Sequence, residues 1–297
     1  MNVREIFLHC NAHTISSGEN IRILFLILFS GEKKMRKIAV MSLFIIAIVA
    51  SPVMLRAAQW SLGVTSMYMF WEPSWNGTYD TAEVDPFMLY GAIGSVSFSK
   101  NWTFSLVGMF GTGEGRLEHE YLGTKTEVEQ DMMRFDLDAI LSYRFHERFS
   151  FFGGLKYIDW NFDANSVTVN NVPANNNYDD HAGAHGMGVG FGLSYNHPII
   201  AQKLFLIANV SFVYMDLYYA LFIQGTMQNQ NFENDQNYRA YGFNTTLSLS
   251  YYFESLSTAI ALGGRYQRLS YSAVDEDYYN MDDDILYGIT FSVIYYF

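Results

Sequence analysis

The chain has 297 residues, among them 24 Phe and 22 Tyr, and only 16% of its residues are charged. The formal net charge of −12 at pH 7 argues against nucleic acid as a partner, and the single cysteine, Cys10, excludes an internal disulfide. A high aromatic content with few charges favours extended structure over helical bundles.

The first 58 residues are typical of an export signal that is preceded by an extension. A basic start at Met35-Arg36-Lys37 leads into the apolar run 38–53, and small residues follow up to Ala58. We therefore predict a signal peptide over residues 35–58 and interpret residues 1–34 as the product of a start codon assigned too early. A membrane anchor is the alternative, although an anchor needs about 20 apolar residues.

Residues 59–297 are predicted to form one domain, in which apolar and polar residues alternate with a period of two. The alternating segments are 60–72, 84–99, 102–114, 131–145, 149–162, 183–197, 203–218, 238–253, 256–271 and 284–297. Short connections alternate with long ones, which is the rule for periplasmic turns and surface loops of outer-membrane barrels. We therefore predict an all-β chain that forms a single antiparallel up-and-down transmembrane β-barrel of about ten strands. The alternative is a soluble sandwich, in which the apolar faces would pack against a second sheet.

The last segment keeps its alternation up to the final residue. Tyr287, Ile289, Phe291, Val293, Tyr295 and Phe297 form one apolar face. A barrel needs such a strand because its last strand has to close onto its first. Aromatic residues at the predicted turn ends would form an interfacial girdle; they are Trp102, Phe145, Phe149, Phe253 and Phe297.

From Gln59 to Phe297 the chain resembles Gram-negative outer-membrane β-barrel proteins of the small, porin-like kind. The assembly signal of that class is matched by Thr290, Ser292, Tyr295 and Phe297, with Ser292 where the class usually has Gly. The resemblance implies a location in the cell outer membrane, contact with its lipid and lipopolysaccharide, and recognition by the barrel-assembly machinery. It does not identify a solute, a receptor or an oligomeric state.

Several charged residues are predicted to face the lumen, because a charge on the lipid face costs about 2–4 kcal/mol at mid-membrane. They are Arg134, Asp136, Asp138, Arg144, Lys156 and Arg265. A turn at 146–148 would place Asp138 directly opposite Lys156. These charges form either a constriction that selects small solutes or a self-satisfied network that fills a narrow barrel.

The sixth segment places four glycines on its inner face, at positions 186, 188, 190 and 192. The missing side chains either open a groove along the wall or admit large residues from the opposite side. The candidates to fill this space are Met109, Phe152 and Trp160.

The hairpin 114–131 continues the alternation beyond the membrane. A turn at Gly123-Thr124 would set Glu120 opposite Glu127 and Glu118 opposite Glu129. Opposed like charges destabilise a ladder, so a calcium or magnesium ion between the carboxylates is one interpretation. A solvated hairpin tip with screened charges is the other.

The sequence predicts no catalytic residues and no cofactor other than that surface cation. Two functions remain open: a narrow porin-like channel for small solutes, and a blocked structural or adhesive barrel that acts through acidic surface loops. An omptin-like surface protease is a third alternative, for which Asp180-His181 and residues 282–284 would have to supply the catalytic pairs.

Overall fold

A computed structural model describes residues 58–73, 81–121, 123–170, 172–173, 181–225, 230–274 and 283–297. The predicted extension 1–34 and all of the predicted signal peptide except Ala58 lie outside these described residues. No helix among them is long and apolar enough to cross a membrane.

The described residues form twelve β-strands and one short 3₁₀ helix. The strands are β1 (Gln59–Glu72), β2 (Thr81–Val84), β3 (Phe87–Ser97), β4 (Trp102–Tyr121), β5 (Thr124–His146), β6 (Phe149–Val169), β7 (Val172–Pro173), β8 (His181–Ile200), β9 (Leu204–Gly225), β10 (Gln230–Phe253), β11 (Thr258–Ala273) and β12 (Asp284–Tyr296). Neighbouring strands pair antiparallel, and β12 pairs with β1 from Ser61 to Glu72, which closes the sheet. β2 and β3 together make one wall strand and β7 only flanks β6, so the predicted ten-stranded barrel is confirmed.

The second wall strand is interrupted at Asp85-Pro86, where the sequence pattern predicts a continuous strand. Proline has no N–H to donate to a ladder, so a strand that contains it has to break or bulge there. The backbone N–H of Asp85 still donates to the carbonyl of Glu114 at 3.0 Å, which keeps the broken strand against β4.

The two ends of the barrel differ in the length of their connections. On one end, here called the turn side, adjacent strands are joined by residues 98–101, 147–148, 201–203 and 254–257. On the opposite end, the loop side, several strands run farther than their apolar alternation predicts; β9 ends at Gly225 rather than 218, and β10 begins at Gln230 rather than 238. Because about 9–11 residues span a membrane, the 20 or more residues of β4, β5, β6, β8, β9 and β10 carry these strands well beyond it.

The outer face carries an apolar belt. On β4 the outward residues from Trp102 to Phe110 are apolar or glycine, and the outward residues from Thr112 onward are polar. Large apolar side chains are exposed around the whole wall, among them Leu62, Tyr90, Leu106, Leu141, Phe151, Phe191, Val210, Leu247, Leu262 and Phe291. A soluble protein would bury such a surface, whereas a lipid bilayer is a favourable solvent for it.

Aromatic rings line the turn-side edge of this belt. Trp102 lies against Tyr143 with 4.8 Å between ring centroids, and Phe149 lies 5.0 Å from Tyr195. Tyr295 and the last residue, Phe297, make an edge contact at 4.9 Å. The predicted girdle residues therefore all stand at the turn side and are partly or largely exposed.

Candidate functional site

The lumen is the part of the molecule in which charges and large buried side chains meet. In its loop-side half, inward side chains from all ten wall strands form one buried apolar cluster. Its largest fully buried apolar members are Trp160, Met67, Met69, Leu89, Met132, Ile158, Met215, Leu217, Leu269 and Leu286. In the turn-side half the inward residues are mainly Ser, Thr, Asn and Gly, whose small side chains leave space at the barrel axis.

A charge network lies between these two halves. Asp136 on β5 accepts a hydrogen bond from Nε of Arg134 at 3.0 Å, and its other oxygen lies 3.7 Å from Nζ of Lys156. Lys156 also donates to Asp138 at 3.1 Å, across the directly opposed pair of β5 and β6 that the short turn predicts. Arg134, Asp136 and Lys156 are at most 4% exposed, so their charges are stabilised by one another rather than by water.

One contact of this network crosses the full width of the lumen. Nη2 of Arg265 on β11 lies 3.7 Å from the Asp136 carboxylate on β5. Going round the wall in either direction, β11 and β5 are five strands apart, so they stand on opposite sides of the barrel. An ion pair at this distance brings side chains from opposite walls into contact at that level of the lumen.

Aromatic contacts cross the lumen on the loop side of the network. Trp71 on β1 lies 6.1 Å from Trp160 and 5.7 Å from Phe162, both on β6. The guanidinium of Arg134 stacks over the Trp71 ring at 4.8 Å, which stabilises a cation whose two Nη atoms have no hydrogen-bond partner among the described residues. The apolar cluster and the charge network therefore lie directly against one another in the lumen.

Asp284, Trp71 and Gln267 also belong to this part of the lumen, and the sequence prediction missed Asp284 and Trp71 as lumen residues. Asp284 is 1% exposed and accepts a hydrogen bond from the Trp71 indole at 2.9 Å. Gln267 accepts from Nη2 of Arg265 at 3.1 Å. The alternation of β12 could have identified Asp284 as a lumen residue, because inward residues of this strand have even numbers. Its place beside an acidic loop suggested a solvated residue instead.

Arg144 is placed apart from the other predicted lumen charges. It faces inward near the turn-side end of β5 and is exposed, and no carboxylate of the described residues lies within ion-pair distance of it. The other five residues of the predicted set meet as described above.

Three of the four inner-face glycines of β8 are filled by neighbouring side chains, whereas Gly190 borders open space. A Cβ on Gly188 would collide with Met215, and one on Gly186 would meet Leu217 at 2.8 Å. Phe152 occupies the corresponding space at Gly192, where a Cβ would lie 2.7 Å from its ring. Of the three predicted filling residues Phe152 is therefore in place here, and two residues of β9 fill the space at Gly186 and Gly188.

The register of the hairpin 114–131 differs from the predicted one by two residues. Its two-residue turn lies between Tyr121 and Thr124, with Gly123 at φ +77°. In the resulting register Glu118 lies directly opposite Glu127, Arg116 opposite Glu129, and Glu120 opposite Lys125. A left-handed glycine in the second central position is the normal arrangement of such a turn.

In this register, three of the four carboxylates of the predicted ladder have ion-pair or hydrogen-bond partners within the protein. Glu118 forms an ion pair with Lys125 at 3.0 Å, Glu127 pairs with Arg116, and Glu129 accepts a hydrogen bond from Ser166 at 2.8 Å. Within the described parts of the chain, no three His, Cys, Asp or Glu side chains are grouped closely enough to hold a metal ion. Glu118 and Glu127 are still directly opposed, but each has a cationic partner, so the uncompensated repulsion that favoured a cation at Glu118, Glu120, Glu127 and Glu129 is relieved without an ion.

The predicted assembly-signal residues lie at the seam where β12 meets β1. Ser292 faces inward, and its hydroxyl lies 2.8 Å from that of Thr65 on β1. Thr290 is also inward, opposite Met67, whereas Tyr295 and Phe297 are on the exposed turn-side rim. A small residue at position 292 thus fits a tightly paired seam.

The residues that would have to supply an omptin-like catalytic site are only partly described. Asp180 and Asp282 lie outside the described residues, as does the side chain of His181. Asp283 is bound by Arg268 and Ser270, and Asp284 is buried against Trp71.

The apolar belt, the aromatic girdle and the closed antiparallel wall define a β-barrel of the outer-membrane type. No protein-family model and no curated protein matches the chain.

Among solved structures, the chain is similar to the outer membrane protease OmpT of Escherichia coli, with 12% identity, a TM-score of 0.49, and coverage of 81% of this chain and 96% of that one. It is also similar to OprG of Pseudomonas aeruginosa, with 11% identity, a TM-score of 0.37, and coverage of 80% and 95%. Ail of Yersinia pestis, an attachment invasion locus protein, gives 12% identity, a TM-score of 0.32, and coverage of 81% and 99%. At these identities and scores the similarities carry no information about activity.

Proposed function

We propose that the protein is a non-enzymatic barrel of the bacterial outer membrane whose lumen is closed and whose activity resides in its long loop-side hairpins. The observation that carries this proposal is the contact of Arg265 with Asp136 from opposite sides of the barrel. It supports a structural or adhesive role over the narrow channel, since a solute would have to break a buried ion network in order to pass.

The length of the loop-side hairpins supports the second half of the proposal. β4 and β5 continue for about ten residues above the apolar belt and are held there by the ion pairs of Arg116 and Lys125. An ordered hairpin presents its side chains to a partner with less loss of conformational entropy than a disordered loop does. The paired hairpin is therefore a suitable platform for contacts outside the membrane.

Conductance in planar lipid bilayers tests whether the lumen is closed. We expect no stable openings from the wild-type protein. The triple variant Trp71→Ala/Trp160→Ala/Arg265→Ala removes both the aromatic contact and the ion pair that cross the lumen and should produce openings, whereas Trp102→Ala removes a lipid-facing ring and should not. Stable wild-type openings would refute the closed barrel; reversing the charge of Asp138 would then test whether it selects ions.

Surface labelling of intact cells tests the location and the orientation. A short epitope inserted at Gly123, at the tip of the β4–β5 hairpin, should bind antibody on intact cells. The matched insertion at Lys100, in a turn-side connection, should bind antibody only after the outer membrane is made permeable. The opposite pattern would overturn the proposed orientation, and no labelling of either site in isolated outer membranes would overturn the location.

A further inference from the structure

A cavity of about 350 Å³ lies in the turn-side half of the lumen, next to the charge network. The wall formed by β3 to β6 gives it a mainly apolar lining that includes Ile93, Val107, Ile140 and Phe152. The charged residues of that wall, Asp138 and Lys156, are paired with each other at 3.1 Å. The opposite wall, from β8 to β11, contributes mostly polar groups, so the cavity is amphipathic.

The cavity opens toward the turn side. Above it, the loop-side cluster is buried and the lumen is crossed by ions and aromatic rings. Below it, Ser142 is partly exposed and Arg144 and Tyr296 are exposed, whereas the inward-facing Ser250 and Ala259 are buried. Under the orientation proposed above, this opening faces the periplasm.

The polar wall presents two donors that are not used within the described residues. Arg265 donates through Nε to Asn244 at 3.2 Å and through Nη2 to Gln267, which leaves Nη1 without a partner. Asn244 accepts from Arg265 with its side-chain oxygen, so its amide NH₂ remains available to donate. Both residues line the cavity, and they stand on the adjacent strands β10 and β11.

The positive charge of Arg265 is also incompletely balanced. The Asp136 oxygen nearest to it is 3.7 Å away, and that carboxylate is shared with Arg134 at 3.0 Å and with Lys156. A guanidinium in a low-dielectric cavity with one free N–H edge favours an anionic acceptor. A carboxylate has two oxygens that can accept from Arg265 and Asn244 together.

We propose that this cavity binds a small organic anion that combines a carboxylate with a short apolar chain or ring. The carboxylate binds Arg265 and Asn244, and the apolar part lies along Val107, Ile140 and Phe152. At about 30 Å³ per water molecule, the cavity has the volume of roughly a dozen waters, which accommodates a ligand of about ten non-hydrogen atoms. Hexanoate and benzoate have this size and chemistry.

Titration calorimetry on the full-length protein in lipid nanodiscs tests the proposal, with empty nanodiscs correcting for partition into lipid. Hexanoate and benzoate should bind saturably, and hexylamine, which reverses the charge on the same chain, should not bind. Arg265→Gln should weaken the binding of both anions roughly 10- to 100-fold, since it removes a charge-assisted hydrogen bond. The matched change Arg148→Gln, in a turn-side connection, should leave binding unchanged.

A second variant keeps the test independent of the charge network. Ser211→Phe fills the cavity from the polar wall and should abolish binding of both anions with the fold retained, as judged by circular dichroism. Arg265→Gln should also fold, because Asp136 keeps Arg134 and Lys156 as partners. Saturable binding that survives either substitution, equal binding of hexylamine, or no saturable binding of either anion by the wild-type protein would overturn the proposal.

Discussion

Asp136 is the residue whose removal should destabilise this barrel most. Its carboxylate is contacted by Arg134 at 3.0 Å and by Lys156 and Arg265 at 3.7 Å, and the three cationic side chains are at most 8% exposed. The variant Asp136→Asn preserves the shape and removes the charge. It leaves three buried cations without their shared partner, with Asp138 still beside Lys156 and the buried Asp284 still near Arg134.

The expected cost follows from the burial of these cations. Removing one partner of a buried ion pair typically costs about 3–5 kcal/mol, because the other charge stays buried without compensation. Here three cations lose a shared partner, so the upper part of that range applies. The matched variant Asp138→Asn removes a carboxylate that is 22% exposed and contacts Lys156 alone, and its cost should be about 1 kcal/mol.

Equilibrium urea unfolding in phospholipid vesicles, followed by tryptophan fluorescence, measures both values. Asp136→Asn should lower the unfolding midpoint by roughly 1–2 M relative to wild type, and Asp138→Asn by a small fraction of that. Adding Arg134→Met to Asp136→Asn removes one of the uncompensated charges and should recover part of the loss. Equal effects of the two Asn variants, or no recovery in the double variant, would refute a network centred on Asp136.

Three further predictions follow from other parts of the wall. Gly242→Ala should destabilise the barrel by about 1–3 kcal/mol, because its Cβ would overlap a backbone carbonyl of the next strand, whereas Gly94→Ala meets open space and should be nearly neutral in the same unfolding assay. Hydrogen exchange over residues 118–129 should be the same in calcium and in chelator, since these carboxylates already have protein partners; slower exchange in calcium would restore the cation site. The hydrogen bond from Ser270 and the nearby guanidinium of Arg268 hold the pKa of Asp283 below its usual value. The contacts of the ionised Asp283 therefore stabilise the loop-side end of β12 above about pH 4, and this stabilisation is lost as the pH falls further. Exchange at that end should therefore speed up below pH 4 in the wild type more than in Asp283→Asn.

The turn-side ends of the strands were predictable, and the loop-side ends were not. Inside the bilayer one face of each strand meets lipid, so apolar residues alternate, as they do from Trp102 to Phe110. Beyond the bilayer both faces of a strand meet water or polar neighbours, and no alternation is required. The Asn- and Gln-rich start of β10, from Gln230 to Asn237, therefore suggested a loop although it is paired with β9.

Contacts set by a short turn were predictable, whereas contacts across the lumen were not. The turn predicted at 146–148 places Asp138 opposite Lys156, and the structure has this pair because a bulge between Arg144 and His146 offsets the shorter connection 147–148. The approach of Arg265 to Asp136 depends on the radius and the shear of the closed barrel, which no single strand encodes. The predicted register of the hairpin 114–131 was wrong by two residues. The sequence alone allows the glycine to be either the first or the second residue of a two-residue turn.

If the lumen is closed as we propose, the charge network also makes a gated pore energetically expensive. A passage past Asp136 requires separating its carboxylate from Arg265, and the parted charges would stay in a lumen walled by an apolar cluster. At the roughly 3–5 kcal/mol of a broken buried pair, an open state would be populated between about one part in a hundred and one part in several thousand. Such a state would conduct only as rare, brief events.

Arg265→Gln should make those events more frequent, because it removes the attraction across the lumen, whereas Arg144→Gln, at the exposed turn-side rim, should leave their frequency unchanged. The same guanidinium would then hold the barrel closed from the loop side and provide its free N–H edge to an anion from the turn side.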